Sequence, residues 1–281
     1  STIENKFPLL AVEHDCIISK DADITVAYYV ELPELFTVTN AEYEAIHSSW
    51  AKAVKVLPEY CVVHKQDWFV RETYKPATDK DDMSFLSRSF EKHFNERPFL
   101  NHSCFLFLTK TTKERMRMQS NFSSLCRGNI IPKEVNKDTS VKFLEAVGQF
   151  ERIMNDSGFI ALTRITSDEI TGTDEKAGLI EKYFALSLDD TTCLQDMELG
   201  ADGLRIGSKH ICLHTLSDAE DLPGRIGTDM RYEKLSTDRS DCRLSFASPV
   251  GLLLSCDHIY NQYLFIEDSA ENLRKFEKSA R

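Results

Sequence analysis

Apolar positions along the first hundred residues alternate between two periods. The stretch "FPLLAVEHDCIISKDADITVAYYVELP" holds two runs rich in β-branched and aromatic residues, separated by the polar "SKDAD", and predicts a pair of strands. The period then lengthens. Asn40 offers an N-cap, and Tyr43, Ile46, Trp50, Ala53, Val54 and Leu57 recur on one helical face until Pro58 ends the element. "YCVVHKQDWFV" reads as strand and "DMSFLSRSFEKHF" as helix, with Met83, Leu86, Phe90 and Phe94 at helical spacing. Cys104 to Leu108 is apolar at every position, which predicts an internal strand covered on both faces and packed under the Tyr43, Ile46, Trp50 and Leu57 stripe. The first part therefore reads β-β-α-β-α-β.

The pattern restarts after the polar "PKEVNKDTS". Phe143, Val147, Phe150 and Met154 predict another amphipathic helix, and Gly158 supplies a left-handed cap at its end. Strands then dominate. "FIALTRI", a helical stretch around "LIEKYFAL", and "CLQDMEL", "GLRIG", "HICLHTL", "CRLSFAS" and "GLLLSC" predict an antiparallel sheet with short turns. Helices grouped apart from many strands give the α+β class, with antiparallel or mixed sheets and helices layered on one face. The expected organisation is a first α+β subdomain over 1–135, a second, strand-rich one over 136–268, and the start of a connecting helix over 269–281. In that last stretch, "SAENLRKFEKSAR", Asp268 or Ser269 is the expected cap, Glu271 completes a capping box, and Leu273 and Phe276 begin an apolar stripe. No Gly or Pro stops it before Arg281, so the chain reads as a piece of a longer protein.

Composition narrows the functional classes. With 42% hydrophobic residues over 281 positions, the chain can bury one large core or two ordinary ones. Its formal net charge of -11 disfavours a general nucleic-acid binder, because neutralising phosphates needs a basic footprint. The eight cysteines are scattered singly and suit a reducing cytoplasm. The runs "CFLFL" and "VGLLL" fall far short of the roughly 20 apolar residues a membrane helix needs. No signal-peptide pattern opens the chain, so membrane association is expected to be peripheral.

Candidate chemistry is sparse. None of the eleven glycines begins G-x-x-x-x-G-K-[ST], and the nearest approach, "PGRIGT" with Gly224 and Gly227, lacks the lysine and reads as a turn. His210, Cys212 and His214 fall on one face of a strand, but three alternate positions spread over about 13 Å, too far to share one ion. Asp238, Arg239, Asp241 and Arg243 read as a turn entering a strand rather than a tuned acid pair. Cys256, Asp257 and His258 supply a nucleophile and a base in sequence, which the fold would have to bring together. No catalytic, cofactor or metal residue is therefore assigned. Lys110, Lys113, Arg115 and Arg117 concentrate positive charge directly after the buried strand, a local exception suited to an acidic partner, a lipid headgroup or DNA.

"FPLLAVEHDCIISKDADITVAYYVELPELFTV", "KQDWF", "FLTKTTKERM", "CLHTLSDAEDLPG", "RYEKLSTDRSDCRLSF" and "CDHIYNQY" together resemble the amino-terminal region of the TraG family of conjugative-transposon ATPases. The resemblance runs along essentially the whole chain. It implies similarity to the large conjugation ATPase of type IV secretion systems, at the cytoplasmic face of a bacterial inner membrane. ATP and Mg would belong to a P-loop motor lying after Arg281, so no cofactor is expected in this stretch. What the resemblance implies for this part is docking on other conjugation-apparatus subunits and help in assembling the oligomer, with Lys110, Lys113, Arg115 and Arg117 as the candidate interaction surface. The competing expectations are a single-stranded DNA-handling module of the same apparatus, and a small self-contained enzyme using Asp257 and His258 or the "TDRSD" carboxylates.

Overall fold

The computed structural model describes residues 8–33, 38–74, 84–113, 115, 137–215, 230–231, 233, 236–239, 243–244 and 254–279. They form an α+β fold. The chain divides into two compact units, one made of Ser1–Gln66, Cys104–Asp174 and Asn261–Arg281, the other of Asp67–Ser103 and Glu175–Tyr260. Each unit thus draws on separated stretches of chain, since β4 (Cys61–Thr73) gives 61–66 to the first and 67–73 to the second.

The first unit is built on a mixed-length sheet. Its strands are β1 (Leu9–Glu13), β2 (Cys16–Ser19), β3 (Ile24–Glu31), β4, β5 (Pro98–Lys110), β6 (Ala161–Arg164) and β12 (His258–Ile266), in the order β1-β2-β3-β5-β4-β12 with β6 also beside β3. The first predicted run is two strands rather than one. His14 and Asp15 both take positive φ (53° and 58°), closing a tight turn whose twist matches an antiparallel pair. The turn is held from a distance: Ser167 donates its backbone N–H and its hydroxyl to Asp15 Oδ1, at 2.7 and 3.1 Å. Those bonds keep the Asp15 carboxyl below its usual range.

β5 lies between β3 and β4, as its continuous apolar run predicts. Antiparallel register pairs Val26 with Leu108, Tyr28 with Leu106 and Val30 with Cys104, and all six side chains are buried. Phe105 is buried too, covered on the other face of the strand. Helix α1 (Asn40–Lys55) and helix α3 (Lys137–Asp156) pack on the core side. The cap of α1 is Thr39, one residue before the expected Asn40, because Thr39 and Glu42 form a reciprocal capping box. Ala53 and Leu57 of the predicted stripe are buried, and Trp50 meets Phe150 of α3 edge-on at 5.9 Å. Phe143, Val147, Phe150 and Met154 are all buried, so the period of α3 reads out as core. Gly158 takes φ 73° after the helix, as a left-handed cap requires. Helix α4 (Ser167–Thr171), not anticipated in the sequence, starts on a second capping box, Thr166 with Glu169, and buries Ile170.

In the second unit Trp68 is fully buried, 5.8 Å from the Tyr183 ring of α5 (Leu179–Ala185). The predicted strands appear as an antiparallel meander of β7 (Met197–Gly200), β8 (Gly203–Ile206) and β9 (Lys209–Ile211). "CRLSFAS" contributes β11 (Arg243–Leu244), paired with β10 (Met230–Arg231). Of "GLLLSC", residues 251–253 lie outside the described residues, and 254–256 are not strand. Helix α2 (Phe85–Asn95) forms where expected. Back in the first unit, α6 (Ser269–Ser279) is capped by Asp268, whose Oδ1 accepts the N–H groups of Ala270 and Glu271.

Candidate functional site

The basic segment is the first place to look for a surface that binds something. Lys110 ends β5 and turns inward: its Nζ donates to the carbonyls of Glu59 (2.5 Å) and Thr111 (3.2 Å) and lies 5.4 Å from the centre of the Tyr60 ring. Lys113 pairs with Glu271 of α6 at 2.9 Å. Arg115 forks between Asp21 and Asp23, with Nη2 2.7 Å from the latter. All three side chains of that clamp are at most 19% exposed. Burial pushes the Asp23 carboxyl up, and the Arg115 charge is the largest effect opposing it. Arg117 lies outside the described residues. The acids that meet these cations stand in "SKDAD" and in α6, far away in sequence, and no local pattern announces the pairing.

The other candidate clusters are dispersed. Asp257 accepts the backbone N–H of Arg71 at 2.8 Å and pairs with Lys209 at 3.3 Å. His258 donates from Nδ1 to the Cys256 carbonyl at 2.8 Å. Asp257 and His258 are thus each tied elsewhere rather than to one another. His210 Nε2 accepts from Arg205 at 3.2 Å, on the exposed face of β9, while Cys212 and His214 are exposed beyond the strand. Among the described residues no three His, Cys, Asp or Glu side chains gather as a metal set. Asp238 and Arg239 sit in an exposed turn, and Asp241, Gly224 and Gly227 lie outside the described residues. A cluster that sequence reading missed is an aromatic stack in the second unit. Phe69 lies flat between His102 and His258, with centroids 4.6 Å away on each side, and His102 Nε2 meets the buried carboxylate of Asp67 at 2.9 Å. Asp67 and Phe69 stand in "KQDWF".

Helix α2 differs from α1 and α3 and resembles α6, whose Leu273 and Phe276 are 60% and 72% exposed. Leu86 is 78% exposed, Phe90 61% and Phe94 43%, and no residue of the helix is buried. Positions 86, 90 and 94 share one face at the i, i+4 spacing. Met83, the fourth expected member, lies outside the described residues. The helix is held by local contacts: Ser84 caps it by accepting the Ser87 N–H, Phe90 and Phe94 pack ring to ring at 4.5 Å, and Tyr74 reaches Glu91 with its hydroxyl and Phe94 with its ring edge. An uncovered apolar face of this kind is what a binding partner covers.

Comparison with known proteins gives a family match over the start of the chain. Residues 1–48 match the family model described as "Domain of unknown function, B. Theta Gene description (DUF3875)". That stretch runs from before β1 through β3 into the first half of α1. No curated protein matches the chain.

Proposed function

We propose that this chain is a docking and assembly domain of a conjugative transfer ATPase of the type IV secretion kind, working at the cytoplasmic face of a bacterial inner membrane. The observation that carries the reading is the exposed apolar face of α2, formed by Leu86, Phe90 and Phe94 on a helix that buries nothing in its own fold. The resemblance of the sequence to the amino-terminal region of the TraG family supplies the apparatus in which such a face would be used. The partners are other transfer subunits at the membrane, with a second copy of the chain as a further one. Among the described residues no helix is long and apolar enough to cross a membrane, which fits attachment through a partner. The DNA-handling alternative is less well supported, because Lys113 and Arg115 pair with carboxylates instead of lining a basic groove.

The test is a Leu86→Glu, Phe90→Glu double variant of the full-length protein in a conjugating donor cell. Both positions are exposed, so the melting temperature of the domain should stay within the range of ordinary surface changes. Co-purification with the inner-membrane transfer subunits and the conjugation frequency should both fall. A variant that transfers DNA and co-purifies as the parent does sinks the reading.

A further inference from the structure

The apolar stripe that runs along α1 and just past its end is buried unevenly. Ala53 and Leu57 lie in the core, whereas Tyr43, Ile46 and Trp50, nearer the start of the helix, are half-buried. Between that first part of α1 and the sheet of the first unit lies a cavity of about 260 Å³. Val30, Cys104, Leu106, Met154 and Leu162 line it from the core, and all five are buried. Ile46 and Trp50 line it from the helix. Interiors normally close such spaces, since they forfeit dispersion contacts. Lys65 and Gln262 also border the cavity, and each already holds an interaction within the chain. What the buried lining offers a guest is apolar contact.

We propose that this cavity is a binding site for a small, neutral, hydrocarbon-like molecule. Volume sets the size. An apolar cavity of about 150 Å³ accepts benzene, and scaling by volume gives a guest of roughly ten carbon atoms here. The lining sets the class. A guest seated on Val30, Leu106 and Met154 leaves water, and an ionised group among those side chains loses its hydration with nothing given in return. A neutral guest escapes that penalty and supplies the dispersion contacts that Tyr43, Ile46 and Trp50 lack on this side. Because it binds the folded chain, it should also raise the melting temperature. The proposal is independent of the docking role of α2, which lies in the other unit.

Naphthalene, which has no polar atom, and naphthoate, the same ring system with a carboxylate, are the probes. Each is titrated into the whole chain carrying isotope-labelled methionine methyl groups. Met154, one of six methionines, lines the cavity, so an aromatic ring seated there shifts its methyl resonance. Naphthalene should move that resonance saturably, raise the melting temperature, and bind more tightly than naphthoate. Ile46→Trp should fill the space from the helix and weaken naphthalene tenfold or more. If that variant does not fold, Leu32→Trp, at a more exposed position of the lining, takes its place. The Leu86→Glu, Phe90→Glu variant should bind naphthalene as the parent does, which separates the cavity from the exposed face of α2. An unmoved Met154 resonance, naphthoate binding at least as tightly as naphthalene, indifference to the filling variant, or loss of binding in the α2 variant each overturns the proposal.

Discussion

Arg115 was expected as part of a docking surface, and the structure gives it a different task whose size can be worked out. Its guanidinium bridges Asp21 and Asp23 across the turn that leads into β3. That turn is tight: Ala22 takes φ 66°, and Ser19 accepts the Asp23 N–H at 3.0 Å. Arg115→Ala removes a cation from Asp23, whose Oδ1 has no hydrogen-bond partner among the described residues. Breaking a buried ion pair from one side costs about 3–5 kcal/mol. The clamp is 12–19% exposed, so about 2–4 kcal/mol at pH 7 is the expected loss.

The pH dependence of that loss is the sharper test. Burial already raises the Asp23 carboxyl and Arg115 opposes the rise, so its removal raises the carboxyl further. Above its new folded value the variant carries an uncompensated buried charge; below it the folded state takes up a proton and the penalty shrinks, by about 1.4 kcal/mol for each pKa unit gained. Urea unfolding of the parent and of Arg115→Ala at pH 7.5 and pH 5 measures it, with Asp23→Asn and the double variant closing a cycle. The Arg115→Ala penalty should be smaller at the lower pH, and the cycle should show coupling above about 1 kcal/mol. A penalty under about 0.5 kcal/mol with no coupling would refute the clamp and return Arg115 to the surface.

Three further outcomes are expected. Burial holds the His64 imidazole below its ordinary 6.5 against the pull of its 2.8 Å bond to Asn261, so the unfolded chain binds the proton more readily and stability falls as pH drops from 6.5; His64→Gln should flatten that fall between pH 7.5 and 5.5, and an unaltered slope counts against it. Phe150→Ala removes a fully buried ring shared by α1 and α3 and should cost about 3–5 kcal/mol in urea unfolding, so a loss below about 1 kcal/mol contradicts the packing described. Calorimetry with MgATP should give no micromolar site, since no glycine of the chain opens a phosphate loop, and measurable turnover above a buffer blank would overturn that.

What the sequence made legible was the part of the fold decided by period. Cys104 to Leu108 reads as an interior strand because five successive apolar side chains need cover on two faces, and β3 and β4 flank it. The Phe143 to Met154 stripe reads as core for the same reason. Elements set by pairing over long distances were harder to see. β12 follows directly on Cys256 and Asp257, where candidate chemistry draws the eye, yet "IYNQYLFI" is rich in strand-forming residues, and the strand joins the sheet beside β4, nearly two hundred positions away in the chain. The β1–β2 turn lacked the usual Asn-Gly signal because His14 and Asp15 hold positive φ with help from Ser167, some 150 residues on.

Candidate surfaces are harder to read from sequence for a related reason. A helical stripe reports that one face is apolar; it does not report what covers that face. The stripe of α3 and the stripe of α2 look alike in sequence, and the first is buried at every position while the second is exposed at Leu86, Phe90 and Phe94. A charge run has the converse ambiguity. Lys110, Lys113 and Arg115 look solvated because their counter-charges are out of view in the sequence, and two of them are ion-paired in the fold. The Arg115 cation therefore stabilises the unit from a largely buried position, and the exposed apolar stripe of α2 is the face that the proposed docking role uses. A docking domain organised this way should keep its partner affinity at high salt, because apolar burial is not screened as surface charge is. Co-purification with the transfer subunits that survives 1 M salt is the expected result, and complexes that dissociate between 0.1 and 0.5 M salt would put the docking surface back on charge.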